Sequence, residues 1–340
     1  MVKKGVLIIN LGTPDAPTTG KVRAYLREFL NDPRVIDIPM LGRWMLLNLI
    51  ILPFRPKKSA AAYAKIWTST GSPLLEHTRV FTEKLSAIVP EGFEVDFAMR
   101  YGSPSIASKL DTLLAKAPDE LVVVPMYPQY SSAATGSSLE KVFELLKTKW
   151  NIPAIRVIGP FYGDHGFLDA FTEIGKPYLT SLAPDHVLFS YHGLPERQIR
   201  RSENVENHCL KTDDSCCASI NAKNTFCYRA QCFETTRQLA TRLGLAPSQY
   251  SVCFQSRLGR TPWIKPYTDM VIPELARAGK KNLLVFSPSF TADCLETLEE
   301  ITLRAHATFT EAGGEKLILV PSLNSSESWV RAVRDMIIRA

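Results

Sequence analysis

Several signatures that would settle a function at once are missing from this chain. It has no G-x-G-x-x-G and no phosphate-binding P-loop, which counts against a nucleotide site, and no G-x-S-x-G elbow of a serine hydrolase. Long apolar runs are missing too. The most apolar stretch, Trp44 to Phe54, would reach only ~16 Å as a helix, against a hydrocarbon core of ~30 Å. The start is no better as a leader: its apolar run ends at Asn10 and breaks into Gly12-Thr-Pro-Asp-Ala-Pro17, with no small-residue cleavage site. It reads as a first buried strand, and the chain as a cytoplasmic protein with room for peripheral contact on the inner face of the membrane. No long run of one charge sign occurs either. The balance of 40 basic against 34 acidic residues does not call for nucleic acid. Cysteine is absent from the first 208 residues; all seven lie between Cys209 and Cys294, five of them from Cys209 to Cys232. An odd count in one region argues against a disulfide framework and for a local metal or cluster site.

What is present is ample for a globular fold: 340 residues, 45% hydrophobic and 22% charged. Short apolar, β-branched runs recur at Val6–Asn10, Leu121–Pro125, His186–Ser190, Ser251–Phe254 and Asn282–Phe286. Helical patterns alternate with them at Lys21–Leu30, Leu139–Trp150, Leu168–Leu182, Ala230–Leu243 and Asp293–Glu311. Strands apolar throughout, alternating with helices, imply parallel sheets covered on both faces. The expected fold is α/β, with two Rossmann-like doubly wound domains rather than one large sheet. The boundaries expected are 1–152 and 153–321, the seam marked by Pro153 and Gly159-Pro160, with a last helix at about 322–340 returning to the first domain.

In such folds ligands bind beyond the carboxyl ends of the strands, so polar groups there carry the chemistry. Asn10-Leu-Gly-Thr-Pro14 follows the first strand, and Ser190-Tyr-His-Gly-Leu-Pro195 follows the first strand of the second half. Gly193 and Pro195 would turn the chain tightly and aim His192 into the crevice. A lone histidine in a loop is more often bonded to backbone, but a partner elsewhere changes that balance. Asp293, Glu296 and Glu300, spaced i, i+3 and i+7, would stack on one face of a helix starting at another strand end, with Glu299 turned to solvent. Such a column suits a cation path or proton relay, though acids also favour a helix N-terminus for the dipole alone. Thr135-Gly-Ser-Ser138 could cradle an anion or simply cap its helix.

Together these residues resemble the ferrochelatase family, in its proteobacterial form. The resemblance runs nearly the length of the chain: Asn10-Leu-Gly-Thr-Pro-Asp15, Phe29-Leu-Asn-Asp-Pro33, Gly71-Ser-Pro-Leu74, Tyr127-Pro-Gln-Tyr130, Ser190-Tyr-His-Gly193, Phe254-Gln-Ser-Arg257 with Pro262-Trp263, and Asp293-Cys-Leu-Glu-Thr-Leu-Glu-Glu300. It implies two chelatase-like domains around a porphyrin cleft and insertion of ferrous iron into protoporphyrin IX, the last step of haem synthesis. His192 and Glu296 then form the iron-site pair, Asp293 and Glu300 the acidic row behind it. Leu11, Arg100, Tyr101, Trp263 and Phe290 line or adjoin the macrocycle pocket, with Arg100 placed to meet a propionate. The stretch 44–58, ending in Arg55, Lys57 and Lys58, becomes an apolar lip with membrane contact in some members; a buried core helix is the competing reading. A coproporphyrin or another divalent metal stays open as substrate, as does a redox sensor on an inactive chelatase scaffold.

The segment His208–Cys232 reads as an insertion relative to the plainest bacterial members. It contains no C-x₂-C, a poor match to a zinc ribbon. Some ferrochelatases hold a [2Fe–2S] cluster, and this resemblance offers Cys209, Cys227 and Cys232, with Cys216 or Cys217, as its four thiolates. Ser132 stands where animal members place a cluster cysteine, so any cluster must use the internal set. Cys253 and Cys294 lie in core motifs and are expected to pack.

Overall fold

The computed structural model describes residues 3–259 and 261–339. They fall into two compact units, with the chain passing between them at Gly159–Pro160 and again at Asn324–Ser325. Residues 128–131 belong to the second unit, although their neighbours on either side belong to the first.

The first unit is built on four parallel strands, β1 (Lys4–Thr13), β2 (Phe93–Gly102), β3 (Glu120–Pro125) and β4 (Ala154–Val157), in the order β2-β1-β3-β4. The central pair is apolar because both of its faces are covered: Val6 to Ile9 and Leu121 to Val124 are all buried. Leu7, Ile9, Leu121 and Val123 pack under helix Ile106–Leu114 and helix Ser137–Leu146. Helix Glu327–Arg339 completes this unit, with the buried Trp329 ring 6.1 Å from Phe81 and Arg156 donating to the Ile337 carbonyl. Gly12 is required where it stands. Its φ is +112°, and a Cβ there would sit 1.8 Å from the Tyr101 carbonyl oxygen.

The second unit repeats the plan with β5 (His186–His192), β6 (Tyr250–Gln255), β7 (Asn282–Phe286) and β8 (Lys316–Leu319), all parallel and in the order β6-β5-β7-β8. Helices His165–Leu182 and Tyr228–Leu243 pack together, and helix Thr268–Arg277 and the segment Glu296–Glu311 pack around Leu188, Leu283 and Val285. The two expected parallel sheets are therefore present. The strands that pattern alone missed are short or sit at an edge: β2 alternates apolar residues with Asp96 and Arg100, and β4 and β8 have four residues each.

Two helices depart from expectation. The one expected over Leu139–Trp150 stops at Leu146, because no later residue has a core to face and Trp150 is 98% exposed. The one expected to run as a regular α-helix from Asp293 is instead wound as a π-helix over Glu296–Ala305, with i→i+5 hydrogen bonds, before becoming α over His306–Glu311. That winding turns Glu299 inward, contrary to the solvent position expected of it. It is 5% exposed and paired with Arg304.

Candidate active site

The order β6-β5-β7-β8 reverses direction between β5 and β7, and at that point the carboxyl ends of neighbouring strands open a crevice. His192 is the last residue of β5, and the loop after β7 leads through Phe290 to Glu296. The sheet itself thus brings the two expected iron-site residues to one end of the second unit.

His192 is half-buried, its imidazole flanked by Trp263 and Phe290, each with its ring centroid 6.4 Å away. Nδ1 lies 2.6 Å from the Gly193 carbonyl oxygen, which can only accept. Nδ1 therefore carries the proton, and Nε2 is left with a lone pair for a metal or a proton. Gly193 is sterically compelled: a Cβ there would lie 2.8 Å from the Gln255 carbonyl oxygen, to which its own N–H donates at 2.8 Å.

Glu296 opens the π-helix and is fixed from behind. Gln255 at the end of β6 donates through Nε2 to the Glu296 carbonyl at 2.8 Å and accepts through Oε1 from Ser190 at 2.8 Å. Glu300 receives two hydrogen bonds from one residue, from the Ser256 N–H at 3.0 Å and its hydroxyl at 2.6 Å. Burial holds the Glu300 carboxyl above its ordinary range. Ser256 opposes that shift, the negative charge of Glu296 adds to it, and the His192 ring draws it down. Glu300 is thus within electrostatic reach of both members of the pair. Ser256 supplies its two donors from a left-handed backbone, φ +67°, an uncommon conformation for a residue other than glycine.

Asp293 is tied to other segments. Both of its carboxylate oxygens are used: Oδ1 accepts from Thr297 (3.0 Å) and from the Ser322 N–H (3.3 Å), and Oδ2 from Asn324 (2.8 Å). It ties the start of the π-helix to the segment after β8. The α-helical spacing that aligned it with Glu296 and Glu300 does not apply where the winding changes.

The remaining expected pocket residues belong to the first unit. Leu11 is partly exposed near the end of β1. Tyr101 is fully buried, with its hydroxyl on Asp32 (2.9 Å) and Ser137 (3.0 Å). Arg100 donates to Asp32 at 2.7 Å and to Ser137 Oγ at 2.7 Å. Its charge is answered inside the unit, so in this structure it secures β2 rather than presenting a free guanidinium. Thr135-Gly-Ser-Ser138 serves the same interior: Ser137 donates to Asp32 at 2.6 Å and Ser138 meets the Tyr127 hydroxyl at 3.3 Å.

The five cysteines of the 208–232 segment are all buried and reduced. Cys216 and Cys217 sulfurs lie 3.9 Å apart, and Cys209 is hydrogen-bonded to Cys227. That bond, with the N–H groups of Ala230 and Arg229 and the Arg229 guanidinium, draws the Cys227 thiol down to about 7, while Cys209 is pushed up in return. Arg229 itself is buried, 3.3 Å from Cys217 Sγ and 2.7 Å from Asp214. Cys232 sits one turn into the helix, hydrogen-bonded to Tyr228 and within electrostatic reach of Cys227 and Cys217. Among the described residues no three His, Cys, Asp or Glu side chains converge on one point as a mononuclear metal site would require. Cys253 and Cys294 are packed in the core, Cys253 taking a hydrogen bond from Thr268.

Sequence reasoning missed Gln255, Ser256, Ser289 and Tyr228. Gln255 and Ser256 stood in a quoted motif at a strand end; the contacts of Ser289 and Tyr228 with His192 join segments remote in sequence.

The fold is that of the chelatases. SirB from Bacillus subtilis with Fe3+ superposes with a TM-score of 0.54 at 12% identity, over 99% of this chain and 95% of that one. The sirohydrochlorin chelatase SirB of Bacillus subtilis subspecies spizizenii in complex with cobalt gives 0.52 at 12%, over 98% and 95%. Sequence narrows the class. The ferrochelatase family profile matches residues 3–340, and the ferrochelatases of Coxiella burnetii (strain Dugway 5J108-111) and Legionella pneumophila (strain Lens) are each 47% identical. The first alignment covers 98% of this chain and 93% of its relative, the second 99% of both. The chain belongs to the ferrochelatase family.

Proposed function

We propose that this enzyme inserts Fe²⁺ into protoporphyrin IX at a site made by His192 and Glu296, completing haem synthesis. The observation that carries the reading is the His192 tautomer: Nδ1–H is spent on Gly193, and Nε2 is free between two aromatic rings at the strand switch point. A free-base porphyrin must lose two weakly acidic pyrrole protons as the metal enters. A neutral imidazole and a carboxylate can each hold Fe²⁺ or accept such a proton. Trp263 and Phe290 offer flat apolar surfaces for the macrocycle, and Glu300, its carboxyl raised by burial and bonded by Ser256, is suited to carry protons onward. His192→Ala and Glu296→Ala should each lower kcat roughly a hundredfold or more. If porphyrin metallation survives both unchanged, the assignment fails. The same assay with coproporphyrin in place of protoporphyrin tests the porphyrin preference.

A [2Fe–2S] cluster is proposed for the cysteine segment. Such a centre takes two ligands per iron. Cys209, Cys227 and Cys232 with Cys216 or Cys217 would supply the four thiolates. The contact of Cys209 with Cys227 and the closeness of Cys232 to Cys227 and Cys217 support the reading, and the buried Arg229 would offset their negative charge. When bound, the cluster would supply a structural crosslink, since metal insertion needs no electron transfer. The anaerobically purified protein should be coloured, with iron and acid-labile sulfide. A colourless protein holding zinc instead sinks the proposal.

Peripheral membrane contact is proposed for the region around 44–58. Among the described residues no helix is long and apolar enough to cross a membrane. Yet Met40, Leu41, Trp44, Leu49, Ile50 and Phe54 are all more than half exposed, beside the exposed Lys57 and Lys58. Leu47 and Leu52 turn inward, but the exposure of the others favours a surface face over a buried core helix, and an apolar face with a cationic margin fits an anionic lipid surface.

A further inference from the structure

The His192–Gly193 peptide is gripped on both edges. The Gly193 N–H donates to the Gln255 carbonyl at 2.8 Å, and the His192 carbonyl accepts from the Tyr228 hydroxyl at 2.9 Å. The His192 N–H donates to Ser289 Oγ at 3.2 Å, and Ser289 also meets the Tyr228 hydroxyl. Glycine at 193 gives this peptide little resistance of its own to rotation. Holding this plane fixes the Cα atoms of both His192 and Gly193, one the root of the imidazole and the other the root of the next peptide, whose Gly193 carbonyl holds Nδ1. The grip on the carbonyl edge comes from a single phenol.

Tyr228 is 6% exposed and is the first residue of helix Tyr228–Leu243, directly after Cys227. Burial keeps its hydroxyl protonated far beyond neutral pH, so it stays a donor. Besides His192 and Ser289 it meets the Cys232 thiol, one turn along the same helix. The cysteine segment therefore ends on the residue that holds His192. Tyr191 offers a comparison: it is equally buried and nearby, but its hydroxyl is spent on Thr236 at 2.8 Å and touches no part of His192's main chain.

We propose that Tyr228 is a positioning residue for iron insertion, its hydroxyl fixing the His192 carbonyl and through it the aim of Nε2. The proposal rests on the reading of His192 as a member of the metal site. Tyr228 touches neither iron nor porphyrin; it acts through His192.

The test is steady-state ferrous iron insertion by the full-length Tyr228→Phe and Tyr191→Phe variants, with thermal midpoints measured alongside. Tyr228→Phe should lower kcat roughly 10- to 100-fold, the cost of a misaimed group, while KM for the porphyrin stays within about twofold. Tyr191→Phe removes a buried hydroxyl of the same kind; its midpoint should fall comparably while kcat stays within about twofold. Wild-type kcat in Tyr228→Phe overturns the proposal, as does an equal kcat loss in Tyr191→Phe, which would mark a general packing effect. Should Tyr228→Phe not fold, Ser289→Ala removes the hydroxyl that both the His192 N–H and the Tyr228 hydroxyl meet, and unchanged kcat there is equally fatal. His192→Ala separates the two ideas. If it is active, the site reading has failed; if it is inactive while Tyr228→Phe is normal, only the positioning role has.

Discussion

In the proposed site His192 matters for the ring nitrogen that its bond to Gly193 leaves open, and Glu300 for the upward pull on its carboxyl. Burial, with Glu296 close by, raises the Glu300 carboxyl, so it gives up its proton at a higher pH than an exposed glutamate. Where Glu300 must be ionised to accept pyrrole protons, kcat falls as the pH drops through that raised value. Ser256→Ala removes a 2.6 Å donor to the charged form and should push the acidic limb of the kcat profile further up in pH; Glu300→Gln should abolish that limb and lower kcat at every pH. A profile for Ser256→Ala that overlays the wild type would remove Ser256 from the proton path. At this scale the sequence was legible where a residue's own position implied its role. His192 before Gly193 at a strand end, and Glu296 after another, could be picked out. Gln255, Ser289 and Tyr228 could not, because each acts through a hydrogen bond to a segment more than 30 residues away. Asp293 shows the opposite case: its spacing suggested a place in a row, while its bonds to Ser322 and Asn324 were invisible in the sequence.

Among the elements, the apolar strands were the most legible, since a run buried on both faces must be apolar on both. The π-helix was not. Nothing in Glu296–Ala305 departs from ordinary helical composition, and the extra residue per turn shows only in i→i+5 bonds such as His306 N–H to the Ile301 carbonyl. The close contact of helix His165–Leu182 with β7 is likewise set by one small residue. A Cβ on Gly175 would stand 2.4 Å from the Phe286 ring, so Gly175→Ala should cost about 1–3 kcal/mol in a denaturation titration, by overpacking rather than by altered helix propensity. The exposed apolar face around Phe54 behaves differently. Ile50→Glu with Phe54→Glu should change stability by less than about 0.5 kcal/mol, because both side chains already face solvent. The pair should nonetheless weaken sedimentation with anionic vesicles. If lipid binding is unaffected by the pair, the face has another purpose.

At the scale of the whole molecule, each unit places its first strand second in the sheet, and the switch point follows from that order: beside β1 in the first unit and beside β5 in the second. The alternating pattern made two such sheets readable. The tertiary closure of the first unit was less so, because it depends on chain that arrives after the entire second unit. Trp329 is fully buried against Phe81, and helix Glu327–Arg339 carries the Ile337 carbonyl that receives Arg156. The first unit is therefore incomplete in any fragment ending at Gly159, however well its sheet is formed. Trp329→Ala should cost about 3–5 kcal/mol, the usual range for emptying a core of an aromatic this large. The loss should also be local. Amide exchange should quicken in the helix Pro73–Ser86, which carries Phe81, while β5 and β7 keep their protection. Uniform loss across both sheets would mean that the two units unfold as one and that the C-terminal helix supports more than the unit it completes.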